Sequence, residues 1–388
     1  MAQKKRSARV IIIFLLFVVY FLAAARPIPL ETILAPRWVS SLLVSSSLSA
    51  NSPSDEGDSP EAGLSWNVAD RLLPFTLQER FGYVDTSGQF AINKIMTGNI
   101  YLSQNMWTEY TAEPASVEIK DIFEETIINI ENPAGYPVLL DNRVFIMGSE
   151  QNSLSAIGDD GEILWTYDFG APLTCIDAAA GLVLTGSIDG VIEILDNEGQ
   201  RIFYFEPGGS RYEVILGCAI SRSGSRVGVI CGIDQQRFLL FESYENNGEY
   251  KVVYHEFLEG NIRRPVRILF IDEDQRIVFE RTGGIGCYNI NSRRRIFIPL
   301  DGEIAAIDDS GGGGFFFLIT SHSHQQKKLV GVRFTQDRWF QVFQSTGAQG
   351  AVFLRALFKS DDVFLGRTGS TLVAGGGSTL ISFELEER

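Results

Sequence analysis

The chain has 388 residues, enough for one large all-β domain or two ordinary ones. Its 27 Phe, 12 Tyr, 5 Trp and 38 Gly are the mixture expected of many short strands joined by tight turns. A formal net charge of −15 argues against generic attraction to nucleic acid or anionic lipid, because those surfaces reward clustered Lys and Arg.

In chain order, Lys4, Lys5, Arg6 and Arg9 precede an uncharged run from Val10 to Ala25, VIIIFLLFVVYFLAAA. A positive n-region before an apolar h-region marks export. Residues 1–25 therefore read as an apolar helix, either a signal peptide cleaved after Ala23-Ala24-Ala25 or a retained membrane anchor. Both outcomes put the following chain outside the cytoplasm. No Cys follows the run, which argues against a lipoprotein-type anchor. Residues 26–64 read as a Ser/Pro-rich acidic linker. Their first half, IPLETILAPRWVSSLLV, is more apolar and suits contact with a membrane or with the domain that follows.

Residues 65–388 carry the strands. Val144 to Tyr167 and Leu182 to Phe205 superimpose without a gap at an offset of 38 residues. Gly148 falls on Gly186, Gly161 on Gly199, Ile157 on Leu195 and Trp165 on Phe203. Each matched position is a turn glycine or an apolar strand residue. A period of about 40 residues built from short alternating strands is the signature of a β-propeller blade. Blades are predicted over Phe81 to Ile130, Asn142 to Ala180, Gly181 to Gly224, Ser225 to Gln275, Arg276 to Ser310 and Gly311 to Asp361. After Val363 only three short strands remain, and an open ring would expose strand edges. A strand from Leu64 to Thr76 is therefore expected to close the last blade from outside. The count is seven four-stranded blades, with six and eight as the nearest alternatives.

The segment Leu154 to Trp165, LSAIGDDGEILW, resembles the repeat of the PQQ-like (quinoprotein-like, WD40-like) propellers, with Phe203 standing where the next Trp would be. The resemblance implies a fold in which that Trp docks against the neighbouring blade. Active quinoprotein dehydrogenases also carry adjacent cysteines, a stacking Trp, a Ca²⁺ held by oxygen ligands and a catalytic Asp. This chain has no Cys-Cys pair and no stretch concentrating oxygen ligands. The Asp-box of sialidase-like propellers fails to match as well, because Gly161 to Trp165 is one residue too long.

His322 and His324 sit in a polar turn, SHSHQQKK, and lack a third ligand; His255 reads as a strand residue. Gly311 to Gly314 is not a phosphate loop, since no Gly-Lys-Ser/Thr follows. Arg263-Arg264 and Arg293-Arg294-Arg295 read as solvated turn residues. Cys175, Cys218, Cys231 and Cys287 each lie in an apolar run, as buried thiols do. Cys218 and Cys231 flank a hairpin turn, so a disulfide between them is an open alternative. No residue is assigned to catalysis, cofactor binding or metal binding.

Exported propellers of the BamB type are similar in compartment, blade repeat and lack of catalytic groups, although they carry a lipobox Cys that this chain lacks. That similarity implies a non-catalytic, extracytoplasmic (periplasmic) interaction scaffold in the cell envelope. Its partners would be envelope proteins, with the membrane reached through the N-terminal segment if uncleaved. The alternative is a ligand-binding or enzymatic propeller, quinoprotein-type or glycan-active, that uses the central funnel.

Overall fold

Short alternating strands and tight turns fold the chain into eight small antiparallel sheets, the blades of a propeller. The structure is a computed structural model. It describes residues 32–43, 72–244, 249–260, 262–308, 310, 312, 314–321, 327–335, 338–344 and 362–387. The first strand is β1 (Thr32–Ser41). Blade I holds β2 (Leu72–Leu77), β3 (Arg80–Asp85) and β4 (Phe90–Ile95). Blade II runs from β5 (Asn99–Leu102) through β6 (Met106–Tyr110) and β7 (Ser116–Asp121) to β8 (Thr126–Glu131). Blade III holds β9 (Gly135–Leu140), β10 (Arg143–Gly148), β11 (Ser153–Ile157) and β12 (Ile163–Asp168).

Blade IV holds β13 (Leu173–Ala179), β14 (Leu182–Ser187), β15 (Ile192–Leu195) and β16 (Arg201–Phe205). Blade V holds β17 (Ile215–Ile220), β18 (Arg226–Cys231), β19 (Arg237–Ser243) and β20 (Tyr250–Phe257). In blade VI these are β21 (Ile268–Ile271), β22 (Arg276–Arg281), β23 (Gly284–Asn289) and β24 (Arg294–Pro299). In blade VII they are β25 (Glu303–Ile307), β26 (Phe315–Ser321), β27 (Lys327–Thr335) and β28 (Arg338–Gln344). Blade VIII joins the two ends of the described chain: β29 (Val363–Thr368), β30 (Thr371–Gly376) and β31 (Thr379–Glu387), with β1 paired antiparallel along β31.

The first strands of successive blades stand side by side around the axis, as in the contacts of β5 with β9, β13 with β17 and β25 with β29. Each pair of neighbouring blades shares one apolar cluster. Leu139, Val144 and Ile146 of blade III meet Val117, Ile119 and Ile130 of blade II. Phe317 and Leu329 of blade VII meet Leu365 and Leu372 of blade VIII. Leu73, Phe75 and Val84 of blade I meet Val373 and Leu380 of blade VIII. Eight blades with eight such clusters make a closed circle.

One latch recurs between blades. The Trp165 ring on β12 lies against Gly199 in the last hairpin turn of blade IV, and its Nε1 donates to the Asn197 carbonyl at 2.9 Å. A Cβ at Gly199 would sit 2.4 Å from that ring, and its φ of +75° already favours glycine. Trp38 of β1 repeats the arrangement on blade I. Its ring lies on Gly88 (φ +89°) and its Nε1 donates to the Thr86 carbonyl at 2.9 Å. The turns themselves are tied by aspartates. The Asp85 carboxylate accepts from the Ser87 and Gln89 amides at 2.9 and 2.8 Å. Asp121 accepts from Phe123 and Glu125, and Asp196 from Glu198 and Gln200, in the same i+2, i+4 pattern.

These features correct the expected seven blades to eight. The span Phe81 to Ile130 contains two last hairpins, β3–β4 and β7–β8, and so belongs to two blades. The strand that closes the ring is β1, inside the segment whose composition reads as linker. Residues 72–76 of the stretch expected to close it lie in β2, which pairs with β3. The expected apolar helix over Val10 to Ala25 lies outside the described residues, and among those described no helix is long and apolar enough to cross a membrane. The expected blade boundaries are also one strand late. Blade III starts at Gly135 rather than Asn142, because a repeat period sets spacing without setting phase.

Replacing Trp38 by Ala removes both the ring packing and the hydrogen bond at the closing junction. The expected loss is about 2–4 kcal/mol in urea unfolding. A Trp38→Ala chain as stable as the parent would mean that β1 does not hold the ring shut.

Candidate functional site

The repeat positions singled out in the sequence lie at blade junctions and hairpin turns. Gly161 (φ +82°) turns between β11 and β12, where a Cβ would sit 2.1 Å from the Asn129 carbonyl of blade II. Gly186 ends near β17 of blade V, and a Cβ there would stand 2.4 Å from Ile215 and 2.8 Å from the Cys175 sulfur. Gly148 is held instead by its own hairpin, against Ser153. Phe203 packs on Phe241 and Tyr250 of blade V, with ring centroids 5.7 and 5.2 Å apart.

Aligning the last hairpins from their turn positions Asp85, Asp121, Gly158 and Asp196 puts Ile92, Ile128, Trp165 and Phe203 at one place, seven residues on. Ile128 is much smaller than Trp, so the junction between blades II and III is underfilled. A groove of about 520 Å³ opens there, lined by Ile127 and Ile128 of β8, Leu164 and Trp165 of β12, and Arg143 and Asp159. Leu164 is 65% exposed and Ile127 43%, and Ile163 beside Leu164 is 61% exposed. Adjacent large apolar side chains left in water are a mark of contact surfaces. Arg143 is fixed at the groove by hydrogen bonds to the Gly181 and Leu182 carbonyls at 3.0 and 2.9 Å.

A second cavity, of about 330 Å³, lies between the first strands of blades IV, V and VI. Its walls are Ile176, Ile220, Ile268 and Phe270, with Asp177, Arg222 and Asp274 as polar groups. Asp177 accepts from the Ile220 amide of blade V at 2.8 Å and from the Ala178 amide at 2.9 Å. Burial pushes its carboxyl up to about 6, against the two amide hydrogen bonds, and the Asp141 charge adds to the rise.

Several charged groups near the blade junctions are paired. Arg367 Nε donates to buried Asp308 at 2.7 Å across blades VII and VIII. Arg267 donates to the Ile304 and Ala305 carbonyls of blade VII. A third cavity, of about 390 Å³, holds Glu256 between Arg281 and Arg295 at 3.4 and 3.1 Å. Arg264 of the Arg263-Arg264 run pairs with Glu280 at 2.5 Å.

All four thiols are free. In the hairpin Cys218 stands opposite Val229 and Cys231 opposite Ile215. Cys218 lies instead in the cluster shared by blades IV and V, with Cys175 of blade IV packed against it. The neighbouring Cys175 thiol and burial push the Cys218 thiol up. Burial pushes the Cys287 thiol up to about 12. His255 lies on β20 with its ring edge-on to Phe257, centroids 6.2 Å apart. His322 and His324 lie outside the described residues. Among the described residues, no group of three or more His, Cys, Asp or Glu is placed to hold a metal ion.

A family model described as beta-propeller protein matches residues 1–387. An uncharacterised protein of Treponema pallidum (strain Nichols) is 25% identical over 293 residues, covering 76% of this chain and 75% of that protein. Among solved structures, BamB from Moraxella catarrhalis superposes with a TM-score of 0.53 at 11% identity, covering 91% of this chain and all of its own. The computationally designed Ika8 protein gives a TM-score of 0.55 at 11% identity, covering 81% of this chain and 95% of its own. Similarity at this level of identity is a likeness of fold.

Asp177 makes stability depend on pH. Its folded carboxyl holds the proton up to about pH 6, whereas an ordinary one releases it near 3.8. The native state therefore binds more protons in that window, and stability falls as pH rises through it, with the full penalty present above the folded value. Urea midpoints measured from about pH 4 to about pH 8 should fall more steeply for the parent than for Asp177→Asn. Equal slopes in the two chains would remove Asp177 as the source.

Proposed function

The chain belongs to a family of beta-propeller proteins, and we propose that it works as a non-catalytic interaction scaffold held outside the cytoplasm. The observation that carries the reading is the underfilled junction between blades II and III. It leaves Ile127, Ile163 and Leu164 exposed beside a groove whose volume of about 520 Å³ has room for a partner's apolar side chains. The charged groups near the blade junctions support the same reading. Asp308, Glu280 and Glu256 each bind an arginine of the same ring, so they serve the scaffold's own rigidity.

The finer assignments rest on the sequence. The GDDGEILW turn and its Trp165 latch favour a PQQ-like repeat used as architecture. The basic cluster before Val10 and the apolar run to Ala25 favour export, with the propeller tethered to a membrane or released into the periplasm. The partner would be an envelope protein offering an apolar side-chain cluster. The likeness of fold to BamB is compatible with this role, and on its own it carries no function.

A photo-crosslinking residue at Leu164 tests the reading in intact cells, with the same residue at exposed Val252 on β20 as control. A discrete adduct from position 164, absent from position 252, is expected. Ile128→Trp, which supplies the ring missing from this junction, should reduce that adduct at least about tenfold while leaving unfolding unchanged or strengthened. Identical adduct patterns from both positions, or none from 164, would contradict a docking face at this groove.

A further inference from the structure

Blades IV and V are joined along their first strands by two cross-blade hydrogen bonds. The Thr174 hydroxyl donates to the Ile215 carbonyl at 2.5 Å, and the Ile220 amide donates to Asp177 at 2.8 Å. Cys175 lies between Thr174 and Asp177 on β13, and Cys218 lies between Ile215 and Ile220 on β17. Both thiols sit in the packing between these blades: Cys218 belongs to the cluster shared by blades IV and V, and Cys175 packs against that cluster. Gly186 makes the approach possible, because a Cβ there would press on both Ile215 and the Cys175 sulfur.

We infer that Cys175 and Cys218 form a redox-responsive pair whose oxidation staples blade IV to blade V at the wall of the cavity containing Asp177. The pair is asymmetric in access. Cys175 is partly exposed, whereas Cys218 is buried and lines the cavity. Cys175 is therefore the thiol that attacks an incoming disulfide such as oxidised glutathione. One glutathione leaves as a thiol, and a mixed disulfide remains on Cys175. The Cys218 sulfur then attacks the Cys175 sulfur, loses its proton and displaces the second glutathione thiol. The balance is two protein thiols oxidised to one disulfide and one small disulfide reduced to two thiols.

The staple links residues already held by the flanking bonds, so it demands little rearrangement of the ring. It removes one route by which neighbouring blades can separate, and it replaces the thiol beside Asp177 by a disulfide. Cys231 and Cys287 are not part of the pair. The Cys231 thiol points to the Arg237 carbonyl at 3.7 Å within its own blade, and Cys287 is buried in the cluster shared by blades VI and VII.

The test treats the folded full chain with oxidised glutathione, then counts free thiols and maps linked peptides. The expected result is loss of two of the four thiols, a single peptide linked between Cys175 and Cys218, and a raised unfolding midpoint that dithiothreitol reverses. Cys175→Ser and Cys218→Ser should each abolish the link and the shift, while Cys231→Ser and Cys287→Ser should keep both. Should the serine variants fold poorly, Cys175→Ala provides the same readout by peptide mapping. A link between Cys218 and Cys231, a link formed only after unfolding, or four thiols persisting in the folded chain would overturn the inference.

Discussion

The antiparallel pairing of β1 with β31 is the constraint on which the rest depends. Seven of the eight blade junctions involve blades adjacent along the described chain; the junction of blades VIII and I does not, and it can form only when the ring closes. Register pairs from Thr32 with Glu387 to Ser41 with Thr379 supply the outer strand of blade VIII. Trp38, on that strand, then reaches the turn at Gly88 and draws blade I against blade VIII. Without β1, one edge of β31 would present unpaired backbone groups to solvent, and a junction would lose one of its two walls. The apolar clusters are all interfaces between neighbours, so loosening one junction removes support from the next.

Closure also explains how polar side chains are used. Near the axis the blades approach closely, and burial there penalises any unpaired charge. The chain meets this with bonds that cross from one blade to the next: Arg367 to Asp308, Arg267 to the Ile304 and Ala305 carbonyls, Asp177 to the Ile220 amide, and Tyr83 to the carbonyls at Ser103 and Met106. A ring that commits its charged groups to its own junctions is a stiff platform. The groove between blades II and III is one place where this filling is incomplete; Ile128 stands there at the position that Trp165 holds in blade III.

Much of this was legible in the residues. The 38-residue echo located the hairpins of blades III and IV; Gly199 and Trp165 proved to be the parts of one latch, and Gly161 holds the equivalent turn against blade II. The eighth blade was hidden because its signal is sparse. Asp85 and Asp121 cap equivalent turns 36 residues apart, yet the strands between them share little side-chain identity with the echo. The closing strand was obscured by composition. Residues 32–41 contain Pro36 and adjoin a Ser-rich stretch, which reads as linker, and only the latch geometry shows that Trp38 does the work of Trp165. The meeting of Cys175 with Cys218 could not be read from hairpin spacing, because it is a contact between blades.

Hydrogen exchange read by mass spectrometry on the intact chain tests closure most directly. If β1 completes the ring, amides in residues 32–41 should be protected to within about tenfold of those in residues 371–387, and the two regions should lose protection together as denaturant is added. Rapid exchange throughout residues 32–41 beside a protected β29–β31 sheet would contradict it, and would leave blade VIII open at its outer edge.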